Sequence, residues 1–273
     1  MKLENPIREH MELSHYAAQH PRLVQGGGGN CSVKFSAHMV VKASGYFLED
    51  VGLERGFAVV GLQDGRPLPE SKEKVSLEAG LHRLLNTYVI HTHPIAAAAL
   101  VGSEEGKRFF RQIFPEATYV WVDYAAPGKR LFQKVEETLR PFSGKMPERQ
   151  ALLLQNHGLF TAAASKQACM QFHEETVRKL EDFFQPEARA DLPAMPPRCY
   201  LTPDHAVYSS MDIRNLSPKQ ETSVREIEIF GRSAFELILK KGWHPAWLPA
   251  GEVDFVLGME EEKYRQQMWK ETP

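Results

Sequence analysis

The residues best suited to chemistry lie in Val89-Ile90-His91-Thr92-His93-Pro94. Side chains on a strand alternate faces, so His91 and His93 point the same way. Two imidazoles on one face near a strand end can grip one divalent metal. Pro94 cannot continue a central ladder, which places the pair where the strand leaves the sheet. Alone, such a pair is equally two half-exposed histidines beside a turn. A second signal is Leu152-Leu153-Leu154-Gln155-Asn156-His157-Gly158, an apolar strand ending in polar residues. Sites in open α/β sheets gather where buried strands emerge. His157 would complete a three-histidine set with positions left for water or substrate.

Ahead of the histidine strand, Ser76, Glu78 and His82 fall in one segment. Glu78 and His82 are four apart and share a helix face. A carboxylate there serves as metal ligand or general base, or as an ordinary solvated glutamate. His82 reads as packing or as support for a ligand. The run Gly26 to Gly29 is no P-loop, because no Gly-Lys-Ser/Thr follows. Successive backbone N–H groups in such a turn form an anion nest. Asn30 adds an amide, and Ala43-Ser44-Gly45 is a second small polar loop.

Strands and helices must hold these residues in place. The pattern predicts a helix at 6–20, strands at 32–35, 38–42 and 57–62, and a helix at 74–86. It continues with strands at 88–92, 119–122, 151–155 and 159–162, and helices at 103–113, 129–139 and 165–185. A Pro-rich stretch at 186–204 reads as a linker or irregular excursion, followed by helices at 218–241 and 251–270. The alternation predicts an α/β sandwich, a sheet covered by helices.

Composition narrows the function classes. The chain has 273 residues, 42% hydrophobic and 25% charged, as in an ordinary globular protein. The 33 Lys and Arg against 35 Asp and Glu leave a net charge of −2, with no basic excess for nucleic acid. Nor does it call for an anionic membrane. Apolar runs such as Ile95 to Val101 are too short to span one. Cys31, Cys169 and Cys199 show no CxxC spacing. The opening residues lack an apolar core for a signal peptide, so a reduced cytoplasmic location is expected. The 11 histidines are somewhat many.

Taken in order, six motifs resemble the class II aldolase/adducin family: GGGGNCSVK at 26–34, KASG at 42–45, SLEAGLH at 76–82, HTHP at 91–94, DYAAPGK at 123–129 and QNHG at 155–158. The resemblance spans about residues 6–185 and is nearest to rhamnulose-1-phosphate and fuculose-1-phosphate aldolases. YLTPDHAVY at 200–208 resembles that branch's C-terminal extension. It implies a three-layer α/β/α sandwich around a mixed, mainly antiparallel, nine-stranded type of sheet. It implies a catalytic domain at 1–185 with an extension at 186–273 packing on it, and a homotetramer with active sites at subunit interfaces.

By the same resemblance, His91, His93 and His157 bind a divalent metal, zinc foremost. Glu78 is the catalytic carboxylate, and Tyr124 is an acid acting from a neighbouring subunit. Gly28, Asn30, Ser44, Gly45 and Ser76 hold the substrate phosphate. The pattern departs at Leu77 and Ala43, where hydroxyl residues are common, and Lys42 or Lys74 are possible replacements. The expected activity is metal-dependent retro-aldol cleavage of a sugar phosphate or related hydroxy-carbonyl compound. The alternatives are an epimerase or dehydratase using the same site, and a non-catalytic adducin-like module.

Overall fold

A computed structural model describes residues 3–69, 71–142, 147–185, 192–212, 214 and 216–271. Seven strands form one sheet: β1 (Asn30–Phe35), β2 (His38–Lys42), β3 (Phe57–Gly61), β4 (Tyr88–Thr92), β5 (Tyr119–Val122), β6 (Arg149–Leu154) and β7 (Gly158–Ala163). Their order is β3-β2-β1-β4-β7-β6-β5. Every pairing is antiparallel except that of β5 with β6. The sheet is therefore mixed and mainly antiparallel, as expected. Seven strands stand among the described residues instead of a nine-stranded type. The segments around Val75 and Pro67 pair with the sheet only through single bridges, to Ala43 and Val60.

Period-two alternation sorts the central strands between two helical layers. Ile90, Ala151, Leu153 and Leu159 join one apolar cluster with Leu13, Phe172 and Leu180. These last come from α1 (Glu4–Ala17) and α6 (Lys166–Phe183). Val89, Leu152, Leu154 and Phe160 join the opposite cluster with Leu81, Leu131 and Val135. Those belong to α2 (Ala79–Arg83) and α5 (Lys129–Leu139). The α/β/α sandwich follows directly from that alternation.

Five element readings change. The helix expected at 74–86 is only α2, because Val75 bridges to Ala43 and Ser44 N–H donates to the Lys74 carbonyl (2.8 Å). α3 (Ile95–Val101) was read only as an apolar run, since burial on all sides leaves it no polar face. α4 (Gly106–Ile113) starts later than read. In the C-terminal part, α7 (Pro203–Ser209) arises within the Pro-rich stretch, capped by Thr202 Oγ1, which accepts from His205 N–H (3.2 Å). α8 (Pro218–Lys240) carries a Ser217/Gln220 capping box. The expected last helix divides into α9 (Ala250–Leu257) and α10 (Glu260–Glu271). Of the Pro-rich stretch, 186–191 lies outside the described residues. No described helix is long and apolar enough to cross a membrane.

Candidate metal centre

The register of the sheet assembles the site. Asn30 on β1 lies opposite His91 on β4, and His91 lies opposite Phe160 on β7. The His91 ring stacks on Phe160 with centroids 3.9 Å apart. His93 follows the end of β4, its N–H held by the Leu23 carbonyl (2.8 Å). His157 sits in the β6–β7 turn, where Asn156 takes a left-handed backbone (φ 53°). The turn needs close approach. A Cβ on Gly158 would lie 2.6 Å from His93 Cδ2 and 2.7 Å from the Thr92 carbonyl.

The three buried histidines present ring nitrogens within 4.8 Å of one another, a group able to hold a metal ion. Nε2 of His91 and Nε2 of His93 are 3.0 Å apart. His91 Nδ1 donates to the Leu159 carbonyl (3.0 Å), which can only accept. In the neutral ring, Nε2 is then a bare lone pair. Burial lowers the pKa of His91 well below its usual value and that of His93 to about 4. The Nδ1 of His93 faces Asp204 Oδ2 at 3.4 Å. Two lone pairs thus face each other at a distance close to the ~3.3 Å spanned by adjacent nitrogens of tetrahedral zinc with Zn–N of about 2.0–2.1 Å. The donor set fits a divalent ion.

Glu78 completes the cluster: Oε1 is 2.8 Å from His157 Nε2, and Oε2 is 3.5 Å from His91 Nε2. Burial works to raise the Glu78 pKa, but the facing His91 and His157 outweigh it and hold the carboxyl well below its ordinary range. For His157, burial works downward and Glu78 prevails, raising it. Behind the carboxylate runs a chain of donors. The Ser32 hydroxyl donates to His82 Nδ1 (2.8 Å), His82 Nε2–H donates to Asn30 Oδ1, and Asn30 Nδ2 donates to Glu78 Oε2 (2.6 Å). His82 is buried and lowered to about 3, so it stays neutral in this tautomer.

A pocket opens from the histidines. Asn30, Ser44, Gly45 and Ser76 all line it, as do Glu78, His93 and His157. Gly28 does not; it packs behind His93, where a Cβ would come within 3.2 Å of Nδ1. Asn30 spends its amide on Glu78, and Ser76 Oγ accepts from Glu78 N–H (3.3 Å). Lys42 lines the pocket, its Nζ donating to the carbonyls of Gly27 (3.2 Å) and Tyr46 (2.6 Å); burial lowers it to about 8. Lys74 lies 4.1 Å over the Tyr264 ring. Tyr124 does not line this pocket. Its hydroxyl donates to Glu252 (3.2 Å), and burial followed by that carboxylate raises its pKa.

Four further charged residues line the pocket and were not anticipated there: Asp204, Glu261, Glu262 and Arg265. Arg265 donates to Asp204 Oδ1 (2.9 Å) and to Glu262. Burial works to raise the Asp204 pKa, but Arg265 and then His93 lower it. Asp204 falls within YLTPDHAVY, which by itself assigns it no role, and no motif marks the other three, since α10 is simply a highly charged helix. The one legible trace is Thr202-Pro203-Asp204, a helix start.

Residues 8–181 match the family model for the class II aldolase and adducin N-terminal domain. No curated protein matches the chain. Among solved structures, the N-terminal class II aldolase domain of a conserved protein from Thermoplasma acidophilum is similar (23% identity, TM-score 0.56), over 68% of this chain and 96% of that one. A sugar-phosphate aldolase from Thermotoga maritima is similar at 15% identity and TM-score 0.55, with the same coverages. An aldolase II superfamily protein from Pseudomonas syringae aligns over 99% of this chain and 97% of its own (13% identity, TM-score 0.54). These likenesses concern the fold. With the family model covering well over half its length, the chain belongs to the class II aldolase/adducin family.

Proposed function

We propose that this protein is a metal-dependent aldehyde-lyase that cleaves a C–C bond beside a carbonyl in a sugar phosphate or related hydroxy-carbonyl compound. The observation that carries the reading is the cluster of His91, His93 and His157, with the Glu78 carboxylate against His91 and His157, beside a pocket lined by Glu78, His93 and His157. A scaffold without catalysis has no use for three buried imidazoles beside a half-buried carboxylate. The three histidines would hold the ion, zinc foremost among metals that suit imidazole. When bound, the ion supplies Lewis-acid stabilisation of the negative charge that develops on the substrate.

The chain's own residues handle the protons. Glu78 exchanges the proton on carbon, its carboxylate aimed by Asn30 and His82. In the cleavage direction, the substrate hydroxyl gives its proton to a base, the C–C electron pair moves toward the carbonyl, and an aldehyde leaves. Tyr124 of a neighbouring subunit in a homotetramer exchanges that oxygen-bound proton. Ser44, Gly45 and Ser76, with Lys42 beside them, seat the remote phosphate; Asn30 aims Glu78 and borders the same cavity. Binding that handle positions the reacting carbon. In this reading residues 1–185 form the catalytic domain and 186–273 an extension.

The test is metal analysis of the purified protein, followed by product analysis on ketose and aldose phosphates and their unphosphorylated forms. One metal ion per chain and release of an aldehyde are expected. Interconversion of sugars without cleavage would replace the lyase by an epimerase. A protein that binds no metal, or turns over nothing when loaded, overturns the reading.

A further inference from the structure

Each ligand ring must be turned so that one nitrogen faces the ion, and the outer nitrogen decides that turn. For His91 the outer nitrogen is held by the Leu159 carbonyl, inside the sheet. His93 lies beyond the end of β4, and among the described residues no backbone carbonyl holds its ring. Its Nδ1 instead faces Asp204 Oδ2 at 3.4 Å, with both side chains nearly buried (6% and 12% exposed). The carboxylate's other oxygen accepts from Arg265 (2.9 Å). Arg265 stands over the Tyr208 ring at 5.5 Å, and the Tyr208 hydroxyl accepts from Gly27 N–H (3.2 Å).

We propose that Asp204 is a positioning residue of the metal centre, contributed by the C-terminal extension. It holds His93 with Nδ1–H toward its carboxylate and Nε2 toward the ion, and Arg265 holds Asp204 in turn. A carboxylate on the outer nitrogen also strengthens the inner one as a ligand. The glycine run has a purpose here that no anion requires. A Cβ on Gly28 would lie 3.0 Å from Asp204 Oδ2 and 3.2 Å from His93 Nδ1. A side chain there would press on both groups by a few tenths of an ångström. Residues 186–273 then do more than pack, because the extension and the histidine strand share one site.

Asp204 has this role only if the three histidines hold a metal, as proposed above. The experiment therefore measures Zn2+ affinity directly, by competition with a chromophoric chelator, on the full chain stripped of metal. Asp204→Asn keeps the shape and removes the charge. It is expected to weaken Zn2+ about 10- to 100-fold, and to change the visible spectrum of the Co2+-loaded protein. Gly28→Ala, which wedges the pair apart, is expected to weaken binding in the same direction. Wild-type protein that binds no Zn2+ overturns the metal reading itself. Wild-type protein that binds tightly, beside an Asp204→Asn variant with the same affinity and Co2+ spectrum, overturns the role of Asp204 alone. If Asp204→Asn does not fold, Arg265→Gln, which frees the Asp204 carboxylate without pressing on His93, decides: unchanged affinity and Co2+ spectrum overturn the proposal, and weakened affinity supports it.

Discussion

Glu78 is half-buried and still charged, because Asn30 Nδ2 and the His157 imidazole supply interactions that water would otherwise give. A carboxylate held so firmly is aimed before substrate arrives. Glu78→Gln preserves the shape and removes the proton exchange, so kcat should fall about 10²–10⁴-fold. Steady-state kinetics on the cleaved substrate, with metal content measured alongside, checks this; a fall below tenfold with metal retained argues against Glu78 as the base. At this scale the sequence was informative wherever spacing alone fixes direction. His91 and His93 share a face because strand periodicity is two. Arg265 was invisible and Asp204 was only one letter of a C-terminal motif with no role attached, since Asp204 meets His93 across more than a hundred residues of chain.

At the scale of elements, the histidines converge because β4 lies between β1 and β7 and the β6–β7 turn folds back at Asn156. Asn156 Nδ2 donates to the carbonyls of Leu201 (2.9 Å) and Ala246 (2.6 Å), tying that turn to the C-terminal part. Gly158 is the tightest point, because its missing Cβ makes room for the His93 ring and the Thr92 carbonyl. Gly158→Ala should therefore cost about 1–3 kcal/mol of stability and weaken Zn2+ binding as well. Urea unfolding and chelator competition measure the two; unchanged values for both would contradict the packing described. Most strands were legible from alternation and β-branched runs. α3 was not, because a helix buried on every side carries no periodic polar face, and α2 was overextended because a tertiary bridge at Val75 outcompetes local helix propensity.

Across the whole molecule, four histidines outside the three-histidine cluster are buried and lowered by that burial: His10, His173 and His205 to about 4, and His82 to about 3. Unfolded, each titrates near 6.5. Their folded forms bind fewer protons below that pH, so stability is full above about 6.5 and falls as pH drops toward 4. Each contributes about 1.4 kcal/mol per pH unit in that window. His157, raised by Glu78, and the exposed His244, raised by Glu105, work the other way, against six lowered rings once His91 and His93 are counted. The urea midpoint of the metal-free protein should thus be clearly lower at pH 5.5 than at pH 7; an unchanged midpoint would mean that these rings are not neutral and buried. The sequence by itself determined the α/β alternation, the family and the residue types of a metal site, because periodicity and short motifs act over a few residues. Only the tertiary structure decided that Asn30 and His82 serve Glu78, that Gly28 makes room for a carboxylate, and that residue 204 reaches His93 with residue 265 behind it. Those relations depend on strand register and on how the C-terminal helices pack across the sheet's end, and neither is encoded in local spacing.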